Sequence, residues 1–218
     1  MDESTSAAAV PEFGARRLLL FGTGSIGAAF LPWWVNWLTA AYPDLELRVV
    51  VTRSAQRFVS RHALTAFARQ HVSLDQWPDE HDEPVPGSVH VEYATWPDAI
   101  AVYPATFHFL ARLATGLADT PMMLALQCTS AVVGVAPAVP PGAVRSAAYG
   151  AHIVALARRP GITVAAPMNG RSAHTGDVGV GAAAPLPVLL RQMELLRRSG
   201  DQQANGRARP EEAGAWRR

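Results

Sequence analysis

The stretch from Asp98 to Asp119, DAIAVYPATFHFLARLATGLAD, narrows the possible folds more than any other part of the chain. A short apolar run, Ala99 to Tyr103, meets Pro104. From there Phe107, Leu110, Leu113, Ala114 and Leu117 recur at three- and four-residue spacing. This pattern predicts a strand, a turn and a helix. Pro104 is not expected to continue a central ladder, and Thr106 is suited to cap the helix that follows. A strand that hands the chain to a helix N-terminus is the unit of an open parallel sheet, and ligands bind at that edge of such sheets. The helix start offers unpaired N–H groups and partial positive charge, which suit an anionic or electron-rich ligand. On pattern alone, an ordinary connection in a Rossmann-like core and a ligand site are equally good readings.

The alternation recurs along the chain. Leu18 to Phe21 is a short apolar run closed by GTGSIG at 22–27, and helical spacing then continues through Ala41, with Pro32 expected to bend the helix or delay its regular part. Phe30, Trp33, Trp34, Trp37 and Leu38 crowd one side of this helix and read first as core, although an exposed remainder would favour a subunit interface. Leu45 to Thr52 reads as a second strand and residues 55–70 as a helix. Gln70 to Ser88, rich in Pro, Asp, Glu and His, reads as a long exposed loop, and Val89 to Tyr93 as a brief strand. Beyond the opening stretch come a helix at Pro121 to Leu126, a strand at Ala131 to Ala136 and a rigid PAVPPG turn at 137–142. A helix from Ala143 to Arg158, a strand at Ile162 to Ala165, a glycine-rich hairpin or flap at 167–182 and a last helix ending near Arg198 complete the pattern. The fold class expected is α/β: a Rossmann-like, flavodoxin-like, mostly parallel sheet with helices on both faces. One domain, 17–198, is expected between a flexible arm, 1–16, and a disordered tail, 199–218.

With 218 residues, 49% of them hydrophobic, the chain can bury one substantial core. Its formal charge of +1 implies no nucleic-acid partner. The single cysteine, Cys128, excludes an intrachain disulfide and any cysteine-only metal site, and fits a reducing cytoplasm. At the end of an apolar helix it reads as a buried small residue. The first residues, MDESTSAAAVPEFGARR, carry acids before the arginines and no apolar core, so neither a signal peptide nor a membrane span is expected.

Gly22, Gly24 and Gly27 match G-x-G-x-x-G between a strand and a helix, the context of a dinucleotide fingerprint. That fingerprint also asks for an acid about twenty residues on, at the end of the second strand. Here that end reads Thr52, Arg53, Ser54, where Arg53 would suit only the 2′-phosphate of NADP. A competing reading has Ser25, Thr52 and Ser54 offering hydroxyls to the terminal phosphate of a mononucleotide. Both readings stand on the pattern.

Four landmarks together resemble a known family: the glycine-and-serine loop at 22–26, the Thr-x-Ser-Ala-x-x-Phe segment at 52–58, His90 in HVEY, and PATFHFLARLATGLAD at 104–119. The family is that of the homo-oligomeric flavin-containing cysteine decarboxylases, which includes phosphopantothenoylcysteine decarboxylases and the lanthipeptide decarboxylases of the epidermin and microbisporicin type. The resemblance covers roughly residues 17–197. Two departures stand out: His108 replaces the asparagine usual within the 104–119 motif, and Pro137-Ala138-Val139-Pro140 replaces Pro-x-Met-Asn. Pro167-Met168-Asn169 resembles a displaced copy of the latter and reads as part of the flap. The lost asparagine leans the reading away from coenzyme A synthesis and towards a peptide-modifying member.

The resemblance implies FMN, or FAD, held by Gly22, Gly24, Ser25, Ile26, Thr52, Ser54 and Phe58 around its phosphate side, and by Pro104, Ala105, Thr106 and His108 around its ring. It implies no metal; His62, His71, His81 and His152 lack ligand spacing. The implied substrate is a precursor peptide ending in cysteine, oxidised and decarboxylated to an aminoenethiol for S-(2-aminovinyl)cysteine formation. Homotrimers or homododecamers, with flavin sites at subunit contacts and lanthipeptide-modifying enzymes as further partners, are also implied. A base must take the thiol proton, and His90 matches the family's active-site histidine; spacing alone would make it structural. Pro140, Met168, Asn169, Arg171 and His174 are the expected substrate contacts, with Arg171 and Arg145 as candidates for the terminal carboxylate. Three alternatives remain: a phosphopantothenoylcysteine decarboxylase-like enzyme, an NADP-binding reductase, and an inactive flavin-binding scaffold.

Overall fold

A computed structural model describes residues 10–78 and 87–207, the last seven by backbone course alone. The eight residues 79–86, which include His81 and much of the expected 70–88 loop, lie outside the described part, as do 208–218 of the expected tail.

Six strands form one parallel sheet. They are β1 (Arg17–Gly22), β2 (Glu46–Val51), β3 (Val72–Leu74), β4 (Ala99–Ala105), β5 (Val132–Pro137) and β6 (Ile162–Val164), in the order β3-β2-β1-β4-β5-β6. All five pairings are parallel. The chain winds outward from β1 to one edge and then restarts at β4 beside β1, so the strand order reverses between those two. Strand sequences such as LLLF are apolar throughout because both faces are covered. Leu18 and Leu20 enter one core, with Leu31, Val35 and Leu38 of α1 (Leu31–Ala41), Leu64 of α2 (Arg61–Ala68) and the first turns of a long C-terminal helix. Leu19 and Phe21 enter the other core. That side is built on α3 (Val89–Thr95), α4 (Phe107–Thr115), α5 (Pro121–Cys128) and, past a short α6 (Pro141–Val144), α7 (Ala147–Ala157). An antiparallel hairpin, β7 (Met168–Arg171) and β8 (Val178–Ala182), leads to the C-terminal helix α8 (Leu186–Arg207). At Gly134 of β5 a Cβ would collide with Met193 of α8, so a glycine lets this helix lie directly on the sheet.

Several expectations change. Val89 to Tyr93 is helical, not extended: Val89, Tyr93 and Trp96 pack into the core at three- and four-residue intervals, and five residues are too few for the period to be decided from sequence. The segment expected to be all loop contains β3, three residues that add an edge to β2. β4 does not stop at Pro104; it runs to Ala105, with a register shift against β5 between Val102 and Ala105. Pro32 delays the first helix, which begins as a 3-10 segment at Ile26–Phe30. The helix expected at 55–70 is a 3-10 turn at Ala55–Arg57 followed by α2, and that at 143–158 is divided at Ser146, whose hydroxyl caps α7 through Tyr149 N at 3.1 Å. α8 continues to Arg207 rather than ending near Arg198. Residues 10–16 of the expected arm are packed: Tyr42 Oη donates to Pro11 O at 2.7 Å, and Gly14 N donates to Glu194 Oε2 at 3.0 Å. Cys128 is exposed, because it falls on the outer side of the last turn of α5. Among the described residues no helix is long and apolar enough to cross a membrane.

Candidate active site

The site lies where the strand order reverses. Gly22 ends β1 behind the loop, where a Cβ would crowd the side chains of Leu31 and Val51. Thr23 follows, 1% exposed, and joins two segments that sequence reasoning treats separately. Its hydroxyl donates to Pro104 O at 2.7 Å and accepts from Thr106 N at 2.9 Å. Thr106 Oγ1 in turn accepts from Phe109 N at 3.2 Å and caps α4. The glycine loop and the β4–α4 turn are thus one rigid unit.

Beyond this unit opens a cavity of about 940 Å3. Its floor is Gly24 to Gly27 with Pro104 and Thr106; one wall is Phe30, Trp33 and Trp34, and the far rim is Pro140 and the β7–β8 hairpin. Phe30 and Trp33 are 65% and 58% exposed, while Leu31, Val35 and Leu38 of the same helix are fully buried. The tryptophan stripe therefore serves the cavity and not only the core. The hairpin is seated by its glycines: a Cβ on Gly181 would strike Val139 O, and one on Gly179 would meet Pro141 at 3.1 Å. Val139 N donates to Gly181 O at 2.8 Å, and the valines that alternate with these glycines, Val178 and Val180, are exposed.

Of the expected cofactor residues, Gly24, Ser25, Ile26, Pro104, Thr106 and His108 line the cavity. Ala105 is fully buried behind them, and Gly22 supports the loop. Thr52 and Ser54 are outside the lining but adjoin it. Their hydroxyls are 3.0 Å apart, and Ser54 lies so close to Gly24 that a Cβ there would overlap it. Phe58, 40% exposed, is not among the lining residues. Of the expected substrate residues, Pro140, Arg171 and His174 line the cavity, whereas Met168 and Asn169 do not, and Arg145 stands outside on the last turn of α6. His90 is also outside. It sits in the first turn of α3 with Nδ1 2.6 Å from Ser88 Oγ and its ring 5.7 Å from that of Trp77. Trp77 Nε1 donates to Asp119 O at 2.9 Å, and Asp119 pairs with the nearly buried Arg112. Among the described residues no group of histidine, cysteine and carboxylate side chains could hold a metal ion.

The electrostatics of the cavity are one-sided. Among the described residues no Asp or Glu lines it, and the ionisable side chains that do are Tyr103, His108, Arg171 and His174. Burial pushes the Tyr103 phenol up to about 12, so it stays protonated at neutral pH and is no base. Hydroxyls gathered beside a glycine-floored loop suit a phosphate, and the aromatic and proline walls suit a flat ring. The residues present fit a flavin nucleotide. They lack the acid that a dinucleotide's ribose requires: the end of β2 carries Arg53, which donates to Gln76 Oε1 at 3.2 Å.

The fold and cavity define an α/β protein of the doubly wound kind with its ligand site at the switch point. The chain belongs to the Flavoprotein family, whose model matches residues 9–194. It is 33% identical over 194 residues to the cypemycin cysteine dehydrogenase (decarboxylating) of a Streptomyces species, a match covering 88% of this chain and 97% of that one. The crystal structure of the cypemycin decarboxylase CypD superposes with a TM-score of 0.70 at 32% identity, covering 88% of this chain and 98% of the other. That of the FMN-dependent cysteine decarboxylase SpaF gives 0.65 at 25% identity, covering 81% and 96%.

Proposed function

We propose that this protein is an FMN-dependent decarboxylase acting on the C-terminal cysteine of a ribosomally made peptide in the cytoplasm, producing an aminoenethiol that a lanthipeptide-modifying partner closes into S-(2-aminovinyl)cysteine. The observation that carries this reading is the cavity at the β1–β4 switch point, which has a phosphate-compatible loop at one end, an apolar wall, and an arginine and two histidines with no carboxylate among the described residues of its lining. Such a site accepts two anionic groups, a cofactor phosphate and a substrate carboxylate, and repels none of them.

FMN, when bound, supplies the two-electron oxidation of the cysteine side chain to a thioaldehyde. The chain's own residues do the rest. Ser25, with Thr52 and Ser54 beside Gly24, holds the phosphate; Pro104, Thr106 and the aromatic wall fix the ring and exclude water. Arg171 grips the terminal carboxylate from the hairpin, and Pro140 and His174 bound the same end. Once the thioaldehyde exists, carbon dioxide leaves readily because the C=S group accepts the electron pair, and protonation of sulfur gives the enethiol.

His90 is the proposed base for the thiol proton. It stands outside its own chain's cavity, so the reading requires a second copy to present it, consistent with trimers or larger assemblies. α7 supports such an assembly: nearly all its residues are apolar, yet only Tyr149 and Leu156 are buried. Loss of the asparagine at Pro140 favours a peptide over the small phosphopantothenoylcysteine substrate. The test is incubation of the FMN-loaded protein with peptides ending in cysteine. A mass loss of about 46 Da, two hydrogens and carbon dioxide, is expected. It should vanish in His90→Asn while FMN stays bound; no mass loss with the wild-type protein rejects the reading.

A further inference from the structure

Trp77 is a large side chain in a place that packing does not account for. It is 41% exposed and belongs to neither core. Yet the side chain is engaged at two points. The indole Nε1 donates to Asp119 O at 2.9 Å, and the ring meets the His90 imidazole in a T-shaped contact, 5.7 Å between centroids at 66°. Asp119 is itself held. Its Oδ1 accepts from Arg112 Nε at 3.0 Å, and Arg112, only 9% exposed on α4, also donates to Thr120 Oγ1 at 3.3 Å. His90 is supported from the other end of α5, where Thr129 Oγ1 donates to Ala94 O of α3 at 2.8 Å. The two ends of α5 thus hold the two rings, and α4, whose first turn lines the cavity, carries the arginine that anchors one of them.

We propose that Trp77 is a positioning residue for the His90 imidazole. The proposal rests on the reading that His90 is the base. Ser88, the N-cap of α3, makes no side-chain hydrogen bond to its helix; its hydroxyl lies 2.6 Å from His90 Nδ1 instead. One hydrogen bond to one ring nitrogen leaves the imidazole free to turn about it. An indole standing across the ring closes that rotation on one side, and tryptophan suits the task because it is broad and has few torsions of its own. Its one polar atom is committed to Asp119 O, so the ring is not free to swing away. Proton transfer depends steeply on the placement of the base, so an imidazole that turns freely loses rate without weakening substrate binding. Trp77 itself stands outside the cavity lining and acts only through His90.

Two measurements test this. With a cysteine-terminal peptide, Trp77→Ala should lower kcat about tenfold and leave KM, flavin content and melting temperature unchanged. Trp77→Phe, which keeps a ring but not the N–H donor, should fall between it and wild type. The second measurement reads the contact without turnover. A protonated imidazole quenches a neighbouring indole, so the emission Trp77 adds to the flavin-loaded protein, wild type minus Trp77→Phe, should fall from about pH 8 to about pH 5, either side of the ordinary imidazole range. In a His90→Asn background the same difference should stay level. Among the described residues, the other charged or titratable groups on the segments that hold the two rings include Glu92, paired with Arg48, and Asp75, His108, Arg112 and Asp119. Burial pushes the Asp75 carboxyl up; at Asp119 burial acts the same way, but Arg112 outweighs it and holds that carboxyl below its ordinary value. A fall that survives in the His90→Asn background therefore belongs to Asp75 or His108 and overturns the proposal. So does a kcat unmoved in Trp77→Ala, or one that drops together with flavin content. If Trp77→Ala does not fold, a wild-type kcat in Trp77→Phe overturns it. A wild-type protein that leaves cysteine-terminal peptides unaltered rejects the functional reading and this inference with it, whereas an active protein with unmoved Trp77 variants rejects this inference alone.

Discussion

The segment before β1 and the rim of the cavity treat charge in opposite ways. In the first the charges are paired. Asp98 accepts from Arg17 Nη2 at 2.8 Å and from the N–H groups of Arg16 and Arg17, and Glu194 accepts from Gly14 N, Arg197 and Arg198, with Glu12 also on Arg198. At the cavity rim, Arg171 has no carboxylate partner among the described residues, and none of the described residues lining the cavity is an Asp or Glu. The first arrangement ties the segment before β1 to β4 and α8 and serves the fold. The second leaves its positive charge for ligands to neutralise. Stability and binding are thus carried by different groups of charges, and substitutions should separate them.

Glu194 gives the largest expected effect on stability. Burial pushes its carboxyl up, but Arg197, the Gly14 N–H and Arg198 outweigh this and hold it at about 2. A carboxyl depressed in the folded state stabilises fully above its unfolded value near 4.5, and the stabilisation is lost as pH falls through about 2. Glu194→Gln should cost up to about 3 kcal/mol at pH 7 in denaturant titrations. The difference from wild type should shrink between pH 4.5 and 2, with flavin content unchanged at neutral pH. Loss of flavin in the folded variant would break the division between the two groups.

Arg171→Ala tests the other group. Removal of a guanidinium that pairs with a carboxylate should lower kcat/KM for a cysteine-terminal peptide about 100-fold, roughly 2.7 kcal/mol, and leave the melting temperature nearly unmoved. A large drop in melting temperature would mean that this arginine, too, belongs to the fold.

What could be read from sequence follows the same division. The sheet was legible because LLLF, VVV and AIAV are apolar on both faces, a pattern that few alternatives satisfy. Short elements were not: three residues of β3 in a polar segment and seven of α3 carry too little periodicity to choose a type. In the site, the glycine loop and Thr106 were legible from local chemistry. Thr23 was not, because its partners are 81 and 83 residues away and a hydroxyl between two glycines carries no local signal. The spacing that places Leu31, Val35 and Leu38 in the core says nothing of which flanking tryptophans close over a cavity. Nor does spacing reveal that His90 lies apart from the residues with which it is expected to work.

The smallest predicted effect concerns that separation. For Nε2 of His90 to accept a thiol proton, Nδ1 must carry the other hydrogen and donate it to Ser88 Oγ, 2.6 Å away. The Trp77 ring limits rotation on one side, and Trp77 is itself anchored to Asp119 O. Ser88→Ala removes the partner that selects the tautomer but leaves Trp77 and the cavity intact. It should lower kcat about threefold with KM and flavin content unchanged, less than 1 kcal/mol in the barrier, and Ser88→Thr should restore it. The cavity edge would then depend on a group outside its own walls, supplied by a second copy. If kcat is unmoved while His90→Asn is inactive, the tautomer is set at the subunit contact and not within the chain.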